Sequence, residues 1–222
     1  MITLHHLNNS RSQRILWMLE ELAVPYQIER YQRDPDTMLA PEALKKVHPL
    51  GKSPVLTDND LTLAESGAII EYLQETYDAQ GLLKPTNHFA RQSYRYWLHY
   101  AEGSLMPLLV MKLIFSRLGK PPVPLLARPI AGAIGKGVQK AYLDKQLATH
   151  RAYLEQHLAE NAWFAGADFS AADIQMSFPV KGLNAWGGLS GCPHLSDWLK
   201  KVQARPAYQQ ALKQGGPYQI AG

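Results

Sequence analysis

Cysteine is nearly absent: Cys192 is the single one among 222 residues. An intrachain disulfide is therefore excluded, and a reducing compartment is the expected setting. Long apolar runs are missing as well. A membrane-spanning helix needs roughly 20 apolar residues in succession, and the richest stretch, Leu105 to Phe115, is short and interrupted by Pro107 and Lys112. Met1 to Leu7 carries two histidines and no long apolar run, which does not fit a signal peptide. These absences together predict a cytoplasmic protein with no membrane partner. Charge of one sign is scarce: the formal balance is +4, spread over pairs such as Lys45-Lys46 and Lys200-Lys201. No basic stripe interleaved with aromatics is present, so a nucleic-acid partner is not expected. A mild positive field suits small anions better. Metal-ligand spacing is also missing. His5 and His6 are neighbours on a strand candidate and point to opposite faces, and His150 and His157 fall inside an amphipathic helical pattern, so no metal is expected. No fixed-period repeat occurs, which argues against a solenoid.

What is present reads differently in the two halves of the chain. Ile2 to Leu7 is a strand candidate that ends at Asn8-Asn9-Ser10, residues suited to turns and helix caps. Ile15, Leu16, Leu19 and Leu22 then recur at the spacing of one helix face. Val24-Pro25 stops that helix, and Tyr26 to Tyr31 reads as a second strand. Residues 36 to 48 offer a short, weak helix at best. Val55 to Thr57 and Leu61 to Leu63 flank Asp58-Asn59-Asp60, the turn chemistry of a tight hairpin. A helix follows from Ser66 to about Tyr77. The order over residues 1–80 is thus β-α-β, a connector, then β-β-α. Residues 78–87 look like a linker, with Gly81, Pro85 and Asn87. Over 87–222 only helical patterns appear, at about 89–118 with an expected bend at Pro107, 138–159, 171–185, 195–204 and a short one after Pro206. Ile130 to Val138 is rich in Ala and Gly, which suits either close packing or a mobile segment. The expected architecture is a small α/β domain followed by an all-α helical bundle.

Two clusters carry chemical information. Gly51-Lys52-Ser53-Pro54-Val55-Leu56 places a proline at the beginning of a strand, where its missing N–H favours an edge or a bend. Glu65-Ser66-Gly67 opens a helix straight after a strand, where orphan N–H groups attract a carboxylate. Taken alone, the pair reads more simply as a helix cap, Ser66, and a first-turn charge, Glu65. In the second half, Phe169-Ser170-Ala171-Ala172-Asp173-Ile174 is a capping box, Ser170 serving the N–H of Asp173 and Asp173 returning the bond.

Taken together, these segments resemble the glutathione transferases. The strand, the polar turn with Ser10, and G-K-S-P-V-L and E-S-G-A-I-I-E-Y-L resemble the thioredoxin-like N-terminal domain of that family. The segment from Gly166 to Asp173 resembles the G-x-x-[ST]-x-A-D motif of its all-α domain. The resemblance spans nearly the whole chain. It implies that Ser53, before a cis Pro54, pairs its main chain with the cysteinyl part of glutathione. It implies also that Glu65 and Ser66 grip the γ-glutamyl end, with Lys52 in the same site. Many members carry Val where this chain has Ser53, a departure that should cost little because the contact uses main-chain atoms. Glutathione is then the co-substrate, a small hydrophobic electrophile or a peroxide the second substrate, detoxification the general role and a homodimer the expected assembly.

The resemblance to serine-type members, aligned on Arg14-Ile15, puts Ser10 at the catalytic position. Shifting a thiol pKa from about 8.5 to about 6.5 requires roughly 2.7 kcal/mol in favour of the thiolate. One hydrogen bond to a charged acceptor contributes about 1.5–3 kcal/mol, and a helix N-terminus about 0.3–1 kcal/mol more. A hydroxyl at a helix start therefore suffices, acting as donor and not as base. Asn9 and Ser12 are alternative donors, and Ser10 is alternatively a helix cap only. Cys192 lies outside this region and is expected to be inert. Competing functions are a non-catalytic binding or regulatory protein on the same fold, and a glutathione-dependent isomerase or dehalogenase.

Overall fold

A computed structural model describes residues 1–35 and 37–216. The first half runs β1 (Ile2–Leu7), α1 (Ser12–Leu22), β2 (Tyr26–Tyr31), α2 (Glu42–Val47), β3 (Val55–Asp58), β4 (Leu61–Ala64) and α3 (Ser66–Tyr77). The strands form one mixed sheet in the order β2-β1-β3-β4. β1 is parallel to β2 and antiparallel to β3, so Leu4 sits between Ile28 and Leu56 at the centre of the sheet. The expected tight hairpin joins β3 to β4, with Asn59 in the left-handed region that such a turn needs. Of the weak helix expected over 36–48, only Glu42–Val47 is helical, and residue 36 lies outside the described residues.

α1 is the hinge-pin of the fold. Ile15, Leu16, Trp17, Met18 and Leu19 are consecutive and all buried, so this stretch presents apolar side chains in every direction. A helix of that kind must be enclosed, and α1 packs on β1 and α3 on one side and on the helical half on the other. It stops at Ala23, whose left-handed conformation aims its N–H at Glu20 and Leu19 carbonyls.

Residues 78–87 contain neither helix nor strand. They are pinned nevertheless. Asp78 accepts from the N–H groups of Leu82 and Leu83 at 3.0 and 2.8 Å, and the Leu83 carbonyl accepts from Gln74 Nε2 at 2.7 Å. Asn87 then caps α4 by accepting from Phe89 and Ala90 N–H.

The second half is helical: α4 (His88–Tyr100), α5 (Met106–Ser116), α6 (Arg128–Val138), α7 (Asp144–Glu160), α8 (Ala171–Gly187), α9 (Pro193–Ala204) and α10 (Pro206–Gly215). The break expected at Pro107 takes the form of a π turn, Ala101–Leu105, that joins α4 to α5 without a gap. The ring of Pro107 would press on the carbonyl of Gly103 in a regular helix, and the wider turn ahead of it relieves that contact. A second π turn, Gln139–Leu143, joins α6 to α7. The Ala/Gly content of α6 serves close packing: a Cβ on Gly135 would meet the Phe115 carbonyl oxygen at 2.4 Å.

One hydrophobic cluster runs through both halves, from Leu4, Trp17 and Leu73 to Trp97, Leu154, Ile174 and Trp198. A polar clasp reinforces it. Glu21 on α1 accepts from Arg205 at 2.6 and 2.8 Å and from Trp17 Nε1 at 2.7 Å, and the Arg205 guanidinium lies 3.7 Å from the centre of the Phe169 ring.

Candidate functional site

Lys52, Ser53, Pro54, Glu65 and Ser66, expected from two separated motifs, line one cavity of about 230 Å3. Strand pairing brings them together, because the first group leads directly into β3 and the second lies at the β4–α3 junction. The Ser53–Pro54 peptide is cis. The Ser53 hydroxyl has a role the main-chain reading did not include. It donates to the His5 carbonyl at 2.9 Å and accepts from Leu7 N–H at 3.3 Å, fastening the loop to β1. Lys52 and Glu65 are exposed and Ser66 is buried. Glu65 precedes α3 with φ +71° and gives the helix no side-chain cap, so the first-turn N–H groups are left for a ligand. Such backbone in a residue other than glycine costs about 1–3 kcal/mol and gathers at functional sites. Among the described residues five non-glycines have positive φ, and three of them, Asn9, Met38 and Glu65, line the two cavities of this region.

Arg11, His48, Leu50, Ala64 and Glu102 complete the cavity. Glu102 lies in the π turn of the helical half and accepts from Arg11 Nε at 3.0 Å through both oxygens. It also pairs with Arg14. Burial pushes the Glu102 carboxyl up, but Arg14 and Arg11 outweigh burial and hold it below the usual range. Arg14 is only 2% exposed and binds across the fold, to Ser66 Oγ at 2.8 Å and the Gln175 carbonyl at 3.0 Å. Sequence reasoning missed this group. The one available signal was the charge of Arg14 on an otherwise apolar helix face.

Ser10 lies beside the cavity and is 5% exposed. Its Oγ accepts from Ser12 N–H at 3.2 Å, so the capping role is filled. It also sits 2.7 Å from Ser12 Oγ and 3.4 Å from Ser53 Oγ. The direction of these bonds follows from a neighbouring histidine. Gly215 offers His6 Nε2 a carbonyl at 3.1 Å, which can only accept, so His6 carries its proton on Nε2. His6 Nδ1 therefore accepts from Ser12 Oγ at 2.9 Å. Burial, opposed by the Gly215 bond and helped by Arg30, lowers the His6 pKa and keeps the ring neutral. With the Ser12 proton on His6 and the Ser53 proton on His5, the Ser10 proton is committed to no obligate acceptor. Asn9 is left-handed at φ +49°.

A second cavity, of about 390 Å3, adjoins the first, and Arg11 lines both. Met106, Leu109, Val110 and Leu113 of α5 form one apolar wall, and Phe178 and Trp186 of α8 another. Asn9, Arg33, Met38 and Arg117 complete it. Cys192 is remote from both cavities, at the start of α9, and burial pushes its thiol up.

Comparison with known proteins agrees with this geometry. The family model of the glutathione S-transferase N-terminal domain matches residues 10–76, and that of the C-terminal domain residues 106–206. Glutathione S-transferase 3 of Schizosaccharomyces pombe is 40% identical over 217 residues, covering 96% of this chain and 87% of its own. A glutathione S-transferase crystal structure from Actinobacillus pleuropneumoniae superposes with a TM-score of 0.80 at 32% identity, covering 98% of this chain and 94% of its own. A sphingomonad glutathione S-transferase solved with glutathione has a TM-score of 0.73 at 25% identity, covering 96% and 98% of the two chains. With both domain types matched in order and relatives alike over nearly the full length, the chain belongs to the glutathione S-transferase family.

Proposed function

We propose that this protein is a glutathione transferase in which the Ser10 hydroxyl donates a hydrogen bond to the glutathione thiolate. The observation that carries the reading is the pairing of two cavities across Arg11: one polar and closed by the α3 N-terminus, one apolar. Glutathione has a carboxylate and an amine at its γ-glutamyl end. The first-turn N–H groups of α3 and the Ser66 hydroxyl suit the carboxylate, and Glu65 suits the amine. Lys52 suits the second carboxylate. The main chain of Ser53 suits the extended cysteinyl backbone, as the family resemblance implies. A structural relative solved with glutathione supports glutathione as the ligand.

In the reaction the thiol gives its proton to solvent, and the thiolate attacks an electrophilic carbon in the apolar cavity. A C–S bond forms, the bond to the leaving group breaks, and that group departs with the electron pair. No covalent intermediate on the protein is needed. Because the Ser10 proton is not held by an obligate acceptor, it can turn from Ser12 or Ser53 to the thiolate without stranding either partner. Residues 1–80 would then bind glutathione and residues 87–222 supply most of the electrophile wall, in a cytoplasmic homodimer.

Calorimetric titration with glutathione and with S-hexylglutathione tests the site. Both should bind, the hexyl form more tightly because its chain enters the apolar cavity. Binding of neither ligand would overturn the reading.

A further inference from the structure

The wall of the apolar cavity is not neutral. Arg11, Arg33 and Arg117 line it, and among the described residues no Asp or Glu does. Arg11 is matched by Glu102. Arg33 is held differently: its guanidinium donates to the carbonyls of Asn8, Met38 and Asn9 at 3.2, 2.9 and 3.4 Å. These dipoles orient the group, and among the described residues none of its hydrogen-bond partners is a carboxylate. Burial and the Arg11 charge both work against the Arg33 cation, so an anion placed beside it would be favoured. Arg117 stands at the C-terminal end of α5, and among the described residues no carboxylate pairs with it or with Arg33. A neutral occupant would cover both cations without compensating them. A carboxylate or sulfonate would accept charge-assisted, forked hydrogen bonds there.

We infer that the second substrate is an aromatic or aliphatic electrophile bearing an anionic group, held by Arg33 and Arg117 while its apolar part lies against α5 and α8. This inference rests on the proposed transferase reading for the reaction, but not for the binding. The charge works by selection: a site whose cations pair with no carboxylate among the described residues prefers the anion and disfavours its neutral isostere. The positive formal charge of the chain, +4, favours the encounter in the same sense.

The test uses matched ligands that differ only in charge. Titration of the full-length protein with 4-biphenylcarboxylate and 4-biphenylcarboxamide, without glutathione, should show the carboxylate binding about tenfold or more tightly. That preference should shrink by about threefold or more in Arg117→Gln and survive in Arg117→Lys, and should weaken in added salt. The ratio is taken within each variant, so a general loss of folded protein does not move it. Equal or tighter binding of the amide overturns the inference. So does a carboxylate preference that both Arg117→Gln and Arg33→Gln leave intact, and so does binding of neither ligand. In turnover with glutathione, 4-chloro-3-nitrobenzoate should exceed 4-chloro-3-nitrobenzamide in kcat/KM. Absence of turnover with both, beside a carboxylate preference in binding, overturns the transferase reading and leaves the anion site standing.

Discussion

Arg14 shows how much of the site is held by a residue that need not touch the thiol. Its guanidinium binds Ser66, Glu102 and the Gln175 carbonyl, residues 52, 88 and 161 positions away. Replacing it by Gln leaves Glu102 half-buried with Arg11 alone and frees the Ser66 hydroxyl. Loss of charge-assisted bonds from such a network, with Arg11 still on Glu102, costs about 1–3 kcal/mol. We expect Arg14→Gln to lower stability by that order in chemical denaturation and to raise KM for glutathione. Arg14→Lys should not restore either, because a single ammonium cannot reach three acceptors in a forked plane. Unchanged denaturation and KM would remove Arg14 from the site. The sequence-based reading used Arg14 only as an alignment mark, since partners so distant in sequence leave no local trace. Lys52, Ser53, Pro54, Glu65 and Ser66 were legible for the opposite reason: each belongs to a short motif whose geometry is set by the adjacent strand or helix.

The start of α8 is the element whose sequence and structure agree most closely. Ser170 and Asp173 form the expected capping box. Asp173 goes further than a cap. Its oxygens accept from Phe164 N–H and Ser170 N–H, each at 3.0 Å, and from Trp198 Nε1 at 2.9 Å, tying α8 to α9 and to the loop before it. Burial outweighs these donors and pushes the carboxyl up to about 6. Asp173→Ala would strand three buried N–H donors, each worth about 1–3 kcal/mol. We expect a loss of about 3–5 kcal/mol in denaturant unfolding, and a loss below 1 kcal/mol would contradict the tie described. The π turns were less legible. A helical period of 3.6 continues through both, and Pro107 signals a break without saying that the chain widens to a π turn and sets Glu102 beside α1.

At the scale of the whole molecule, one core spans both halves, and four histidines lie within or against it. The pKa values of His5, His6, His150 and His157 are all lowered from 6.5, burial being the main cause in each. Between those lowered values and 6.5 the unfolded chain binds more protons than the native one, so native stability falls as pH falls through that window. Asp173 acts in the opposite sense, since its raised pKa makes the native state the better proton acceptor below about 6. One such carboxyl opposes four histidines. Calorimetric Tm should therefore decline from pH 7 towards pH 5.5. His157→Gln, which keeps a donor for the Phe164 carbonyl, should flatten part of that decline. A Tm independent of pH over this range would contradict it. The two-part architecture was readable from the change from alternating strands and helices to helices alone. The way the parts lock was not, because the Glu21–Arg205 clasp and the burial of α1 on all sides depend on contacts between distant segments.

The most direct test of the Ser10 assignment is a titration of the bound thiol. Ultraviolet absorbance of the thiolate is followed against pH for glutathione on the wild-type protein and on Ser10→Ala. One charge-assisted hydrogen bond contributes about 1.5–3 kcal/mol, so the wild-type complex should titrate about 1–2 pH units below Ser10→Ala, with glutathione bound by both. Coincident titration curves from two proteins that both bind glutathione would contradict the role given to Ser10 and return it to capping α1.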